Sequence, residues 1–185
     1  NGVIFNIEIT HKRLDDNQSI WDSNRINFID KWSHELPKTI LPTLIYNDDE
    51  VLLLESPKVS VVIPTKGNLE LLFNCLQSFI DNCNYINYKI YIADTGSTNE
   101  ELINIENFIK DYNHFILIKY DYYNFAKINN DVINNKIDED TELILLCNND
   151  IKLINDALSN MVKIYLTNKN DIGTLGARLV YPNNT

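Results

Sequence analysis

Four short polar stretches hold the side chains of this chain best suited to chemistry: Pro64-Thr65-Lys66-Gly67-Asn68, Asp94-Thr95-Gly96-Ser97, Asn124–Asn130 and Asn148-Asn149-Asp150. Two carboxylates stand in them, Asp94 and Asp150. A carboxylate accepts hydrogen bonds from N–H donors and, with amide oxygens and water, can hold a hard divalent cation. Thr65 adds a hydroxyl, and Lys127 a point charge suited to a phosphate or a ribose. Each stretch also has a bland reading. Pro64 and Thr65 fit a simple strand-ending turn. Asp94 fits an Asx turn or a helix cap. Asn148–Asp150 fits an Asn-rich turn in a chain rich in Asn, Lys127 a solvated helix residue, and Asn124, Asn129 and Asn130 helix caps or pocket lining.

What decides between these readings is where the elements put the stretches. Val59–Ile63 is a β-branched run stopped by Pro64, the pattern of a buried strand. Apolar residues at Leu69, Leu72, Phe73, Leu76, Phe79 and Ile80 have helical spacing, with Asn68 as N-cap. Tyr88–Ala93 is the second strand, followed by a helix over Asn99–Asp111. Phe115–Lys119 is the third strand, and Phe125–Asn135 a helix behind Asn124. Leu143–Cys147 is a fourth, buried strand, Leu153–Asn168 a helix, and Ile172–Val180 contains a last extended piece. Strand and helix alternate with no hairpin signal, which predicts an α/β fold: a mostly parallel sheet with helices on both faces. Right-handed crossovers then put every strand C-terminus at one edge, where such sheets bind ligands. All four polar stretches are expected at that edge.

Residues 1–57 read differently. Val3–Ile9 is a candidate strand, Ser19–Leu36 has helical spacing before Pro37, Asn47–Glu50 is an acidic turn, and Val51–Leu54 a short strand. A boundary near Ser56-Pro57 makes 1–57 an N-terminal extension and 58–185 the main domain.

Composition narrows the functions. With 185 residues, 44% hydrophobic and 23% charged, the chain suits one globular domain with a small addition. A net charge of −10 without a basic cluster argues against nucleic acid and anionic membrane as partners. It also makes any phosphorylated ligand a local matter, since the overall field repels it. No apolar run approaches the ~20 residues of a membrane span, and Asn1–Thr10 lacks a signal-peptide pattern. Cys75, Cys83 and Cys147 have no metal-ligand spacing and read as reduced thiols, two on a helix and one ending a strand. The expected location is therefore cytoplasmic, at most peripheral to the inner face of the membrane.

Taken in order, these motifs resemble the family-2 glycosyltransferases, which have the GT-A fold. Val59–Asn68 is similar to their first strand and turn, and Ile92–Ser97 to a second-strand motif written Asp-Asn-Gly-Ser or Asp-Asp-Gly-Ser. Asn124–Asn130 resembles an Asn-Phe-Ser loop and helix of polysaccharide-building members. Leu145–Asp150 falls where the metal-binding Asp-x-Asp motif belongs, with Asn148 in place of the first Asp. Gly176–Pro182 resembles the stretch that follows. The likeness runs from Lys58 to the end, and the order and spacing are more specific than any one motif.

The resemblance implies a UDP- or dTDP-sugar donor, a glycan acceptor, and Mg2+ or Mn2+ held by Asp150. It implies nucleotide binding by Pro64, Thr65, Asp94, Gly96, Asn124, Lys127, Asn130, Asn148 and Asn149. Asp94 would accept the imide N–H of uracil or thymine. It further implies inverting transfer with a later carboxylate as general base, which is expected beyond Thr185 together with the acceptor-binding half. On that reading the chain is a fragment, and 1–57 is the tail of a preceding module. His11 would correspond to a late metal-ligating His of that module, although a surface His on a strand end is the plainer reading. The alternative is a non-catalytic nucleotide-binding or scaffold module of the same fold, for which the single carboxylate of Asn148–Asp150 speaks. A nucleotidyltransferase fits less well, because Pro64–Asn68 lacks a Gly-rich phosphate loop.

Overall fold

The computed structural model describes residues 3–11, 56–168 and 172–180. The expected helix over Ser19–Leu36, the turn Asn47–Glu50 and the strand Val51–Leu54 lie outside the described residues. The main sheet has four parallel strands, β2 (Val59–Thr65), β3 (Tyr88–Asp94), β4 (Phe115–Lys119) and β5 (Leu143–Leu146), in the order β4-β3-β2-β5. This is the α/β, mostly parallel arrangement that alternating strands and helices predict.

β2 lies at the centre because it is apolar on both faces. Val59, Val61 and Ile63 join a core with Leu72, Cys75, Leu76 and Phe79 of α1 (Leu69–Asn82) and Ile105 of α2 (Asn99–Ile109). On the opposite face Val62 clusters with Tyr91 and Ala93 of β3 and with Ile128 and Val132 of α3 (Phe125–Asn135). The alternation of β-strand side chains thus sends odd residues of β2 to α1 and even ones to α3. Each fully buried aliphatic or aromatic side chain contributes about 1.5–3 kcal/mol. Phe73 and Phe108 stack at 4.6 Å between centroids and tie α1 to α2.

Local chemistry sets the helix ends. α2 begins with a capping box in which Thr98 and Glu101 exchange side-chain and backbone hydrogen bonds. Asn124 caps α3 by accepting from Lys127 N at 2.9 Å. Asn68 holds the N-cap position of α1, but its side chain makes no cap bond, contrary to the usual pattern. Gly67 and Asn68 are both left-handed, with φ of 55° and 44°. The side-chain bond of an N-cap normally goes with an extended backbone.

Two elements depart from expectation. β5 was expected to be buried, yet Ile144 and Leu146 are 45% and 53% exposed while Leu143 and Leu145 pack on the α1 side. Among the described strands β5 pairs with β2 alone, so an apolar run here reflects one covered face, not two. The helix expected from Leu153 starts later: α4 spans Ala157–Asn168, and Ile151–Leu153 forms a strand, β6. Ile151 and Leu153 are buried with Lys152 exposed between them, the period of a strand. Asn155 and Asp156 then turn the chain with φ of 53° and 51°, and Asp156 accepts from Ser159 Oγ at 2.8 Å.

β6 belongs to a second sheet, in the order β6-β1-β7. β1 (Val3–His11) runs antiparallel to β6 and parallel to β7 (Leu175–Val180). A strand from before the Ser56-Pro57 boundary is thus hydrogen-bonded to two strands from after it. At the other end of the main sheet Lys58 Nζ meets Asp138 at 2.5 Å and Asp140 at 2.8 Å, and Lys89 meets Asp138 at 2.6 Å. Hydrogen bonds from Lys58 and then Lys89 hold the Asp138 carboxyl down at about 2.

Candidate functional site

Thr65 and Asp94 are the last residues of β2 and β3 and are register partners, so parallel pairing alone sets them side by side. The chain then turns tightly around them. Thr95 donates to the Thr65 carbonyl twice, from N and from Oγ1, both at 2.9 Å. Gly67 N donates to Ser97 Oγ at 2.9 Å, which joins the turns after β2 and β3. Asn149 Nδ2 donates to Thr65 Oγ1 at 2.9 Å and brings the turn after β5 to the same point. Tyr120 N, just past β4, donates to the Asp94 carbonyl at 2.8 Å. All four strand ends therefore meet at one edge, with Thr65 at its centre.

Asp94 is almost fully buried, with 2% exposure. Oδ2 accepts from Gly96 N and Ser97 N, both at 3.1 Å, and Oδ1 accepts from Ser97 Oγ. A carboxylate has about four acceptor sites, so its own turn occupies most of them. The Asx-turn geometry is realised, and by count one acceptor site remains for a ligand. Gly96 has φ of 116°, which a side chain would strain. A Cβ there would stand 3.9 Å from Lys66 Cε and 4.0 Å from its Nζ, so the Lys66 ammonium lies over this turn.

Asn148 is exposed, and Asn149 and Asp150 are half-buried. The Asn148 carbonyl faces two thiols: Cys75 Sγ donates to it at 3.6 Å and Cys147 Sγ at 3.3 Å. The Cys75 thiol beside it, and then burial, push the Cys147 thiol well above its ordinary value. Among the described residues no group of three His, Cys, Asp or Glu side chains comes together in a way that could hold a metal. A single carboxylate flanked by amides is a hard-oxygen donor set, and it fits a Mg2+ or Mn2+ whose remaining ligands are diphosphate oxygens and water. His11, the last residue of β1, is the register partner of Ile151, next in sequence to Asp150.

The remaining candidates are placed more loosely. Pro64 is half-buried within β2. Asn124, Lys127 and Asn130 are exposed at the start of α3, which leaves the same sheet edge after β4. Asn124 is engaged as a cap, and Lys127 Nζ sits 4.5 Å from the centroid of the Tyr122 ring. Asn129 is buried and donates to the Phe125 carbonyl at 2.8 Å. Arg178 is exposed on β7, opposite Glu8 of β1. The structure thus gathers Pro64, Thr65, Asp94, Gly96, Asn149 and the Asp150 turn, while Asn124, Lys127 and Asn130 flank them. Sequence reasoning gave no role to Ser97, Lys66 or Cys75, although Ser97 and Lys66 stand in the polar stretches. Ser97, three residues after Asp94, carries the spacing of an Asx-type turn and was legible. Lys66 and Cys75 carry no such signal.

No protein-family profile matches the chain. It is 28% identical over 130 residues to the uncharacterized protein y4gI of Sinorhizobium fredii, covering 69% of this chain and 14% of that protein. It is 24% identical over 133 residues to the O-antigen biosynthesis protein RfbC of Myxococcus xanthus, covering 70% and 10%. The chain thus spans a small part of the curated relatives it matches. Among solved structures it is similar to TarS (residues 1–349) of S. aureus, with a TM-score of 0.52, 16% identity, and coverage of 60% of this chain and 33% of that one. It is also similar to the mannosyltransferase PcManGT of Pyrobaculum calidifontis, solved in complex with GDP-Man and Mn2+, with a TM-score of 0.54, 16% identity and coverage of 80% and 41%. The chain shares the α/β, GT-A-like fold of these structures.

Proposed function

We propose that this chain binds the nucleotide-sugar donor of a glycosyltransferase that builds a polysaccharide or glycoconjugate. The observation that carries the reading is the hydrogen-bonded meeting of Asp94, Thr65 and Asn149 at the C-terminal edge of a parallel sheet, with Asp150 next in the chain. The similarity to an O-antigen biosynthesis protein and to a mannosyltransferase fold supports the same class.

In this reading the nucleotide base lies over the Thr65–Asp94 pair. The remaining acceptor site of Asp94 takes the imide N–H of UDP or dTDP, and Pro64 and Gly96 shape the turns beneath it. Asn148 and Asn149 line the diphosphate side, flanked by Asn124, Lys127 and Asn130. Asp150 supplies the carboxylate for Mg2+ or Mn2+. Bound there, the cation would neutralise charge on the diphosphate and the leaving nucleotide. The acceptor hydroxyl would attack the anomeric carbon from the face opposite the nucleotide, with inversion. No residue of this chain is assigned as its general base. A longer protein, in which 58–185 is the donor-binding part of one module and 1–57 the tail of another, accommodates this reading. It works in the cytoplasm or at the inner face of the membrane.

Calorimetry with UDP, dTDP, GDP and CDP, each with and without Mn2+, tests the proposal. Binding of a uracil or thymine nucleotide that depends on Mn2+ and is lost in Asp150→Ala supports it. Equal binding with and without metal, or none by any nucleotide, refutes it. The second reading, a non-catalytic module of this fold, draws on the single carboxylate of Asn148–Asp150. Sugar transfer by the full-length protein, abolished by Asp150→Ala, would exclude it.

A further inference from the structure

The Asn148–Asp150 turn is held from two sides, and only one of them belongs to the sheet edge. In front, Asn149 is tied to Thr65. Behind, Cys75 reaches from the second turn of α1 to the Asn148 carbonyl, 73 residues away in sequence, and Cys147 points at the same oxygen. Cys75 is fully buried and Cys147 nearly so, at 0% and 6% exposure. Both are free thiols. Burial makes them poor nucleophiles and poor redox sensors. A buried S–H close to a backbone carbonyl is a weak but fixed donor.

We propose that Cys75 and Cys147 are positioning residues whose thiols hold the Asn148 carbonyl, and so set the orientation of the Asp150 turn. The proposal rests on the donor-site reading only for its consequence, since the anchoring itself is a property of the ligand-free fold. Helix α1 buries its apolar face against β2, so the thiol couples the turn to the packed core. The turn then needs little ordering when a diphosphate and its cation arrive.

The test compares Cys75→Ala with Cys75→Ser in the full-length protein. Both shrink the side chain by similar amounts, but serine keeps a donor. Without ligand, hydrogen exchange at the Cys147 amide, which donates to the Val62 carbonyl where this turn begins, should rise roughly three- to ten-fold in Cys75→Ala, the scale of one hydrogen bond. Amides inside β2 and α1 should keep their rates, and Cys75→Ser should restore most of the protection. No rise, an equal rise in both variants, or a uniform rise across the domain overturns the proposal. If Cys75→Ala does not fold, Cys147→Ala against Cys147→Ser gives the same comparison. The Kd for UDP with Mn2+ should weaken by a similar factor in the alanine variant and recover in the serine one. If the wild-type protein binds no nucleotide, the donor-site reading fails, and the exchange result still decides this one.

Discussion

On the proposed reading Asp94 both holds its own turn and accepts the base, and a pair of substitutions separates the two roles. Its carboxylate accepts two backbone N–H groups and the Ser97 hydroxyl. In Asp94→Asn the amide oxygen can keep the two N–H bonds, and the amide nitrogen can donate to Ser97 Oγ, so the turn survives. What is lost is a negatively charged acceptor for the base. UDP affinity should therefore fall about 10–100-fold in Asp94→Asn, the range of a hydrogen bond to a charged group, with little change in melting temperature. Asp94→Ala should lose both. Calorimetry showing full affinity in Asp94→Asn would take Asp94 out of base recognition and leave it a turn-former.

At the scale of elements, turn geometry and ion pairs carry the predictions. Gly96 lies at a φ that costs a side-chain-bearing residue about 1–3 kcal/mol, so Gly96→Ala should lower stability by that amount in urea denaturation. Stability within ~0.5 kcal/mol of wild type would mean the turn relaxes. At the opposite edge Asp138 is lowered from 3.8 to about 2 by Lys58 and Lys89. A depressed carboxylate pKa stabilises the fold fully above its unfolded value, and the benefit fades as pH falls from about 4 to about 2. Asp138→Asn should flatten the acid limb of the stability profile in that window and nowhere else. An unchanged slope in urea titrations across those pH values would show that the ion pairs are screened. Element types read from the apolar pattern mostly match the structure: β2 carries a short β-branched run ended by Pro64, and α3 has helical spacing behind its Asn124 cap. Ile151–Leu153 escaped because three alternating residues merge into the helical spacing that follows. The exposure of Ile144 and Leu146 escaped because an apolar run states what a strand can bury, not what is there to cover it.

For the whole molecule the useful quantity is coupling between fold and ligand. A nucleotide that binds only the native state stabilises it by about 2.7 kcal/mol at a hundredfold excess over Kd. In a domain of this size that corresponds to roughly 5–10 °C in melting temperature. UDP with Mn2+ should therefore raise the melting temperature by several degrees, while UDP with a chelator should raise it much less. A shift indifferent to metal would argue for a nucleotide site without a cation. The overall charge of −10 sharpens this expectation. On the donor-site reading a diphosphate approaching this acidic protein meets repulsion, which local cations such as Lys66, Lys127 and a bound metal would offset.

The sequence alone determined the α/β class, the parallel order of elements and the identity of the polar stretches, because periodicity and strand-ending residues are local signals. It also contained the Asx-turn spacing from Asp94 to Ser97. Tertiary structure decided which of those stretches touch. The bond from Asn149 to Thr65 spans 84 residues, and that from Cys75 to Asn148 spans 73. Neither leaves a local trace, since such contacts exist only once strand order and register place distant residues side by side. The placement of His11 beside Ile151 arises in the same way, from a strand pairing that no local pattern encodes.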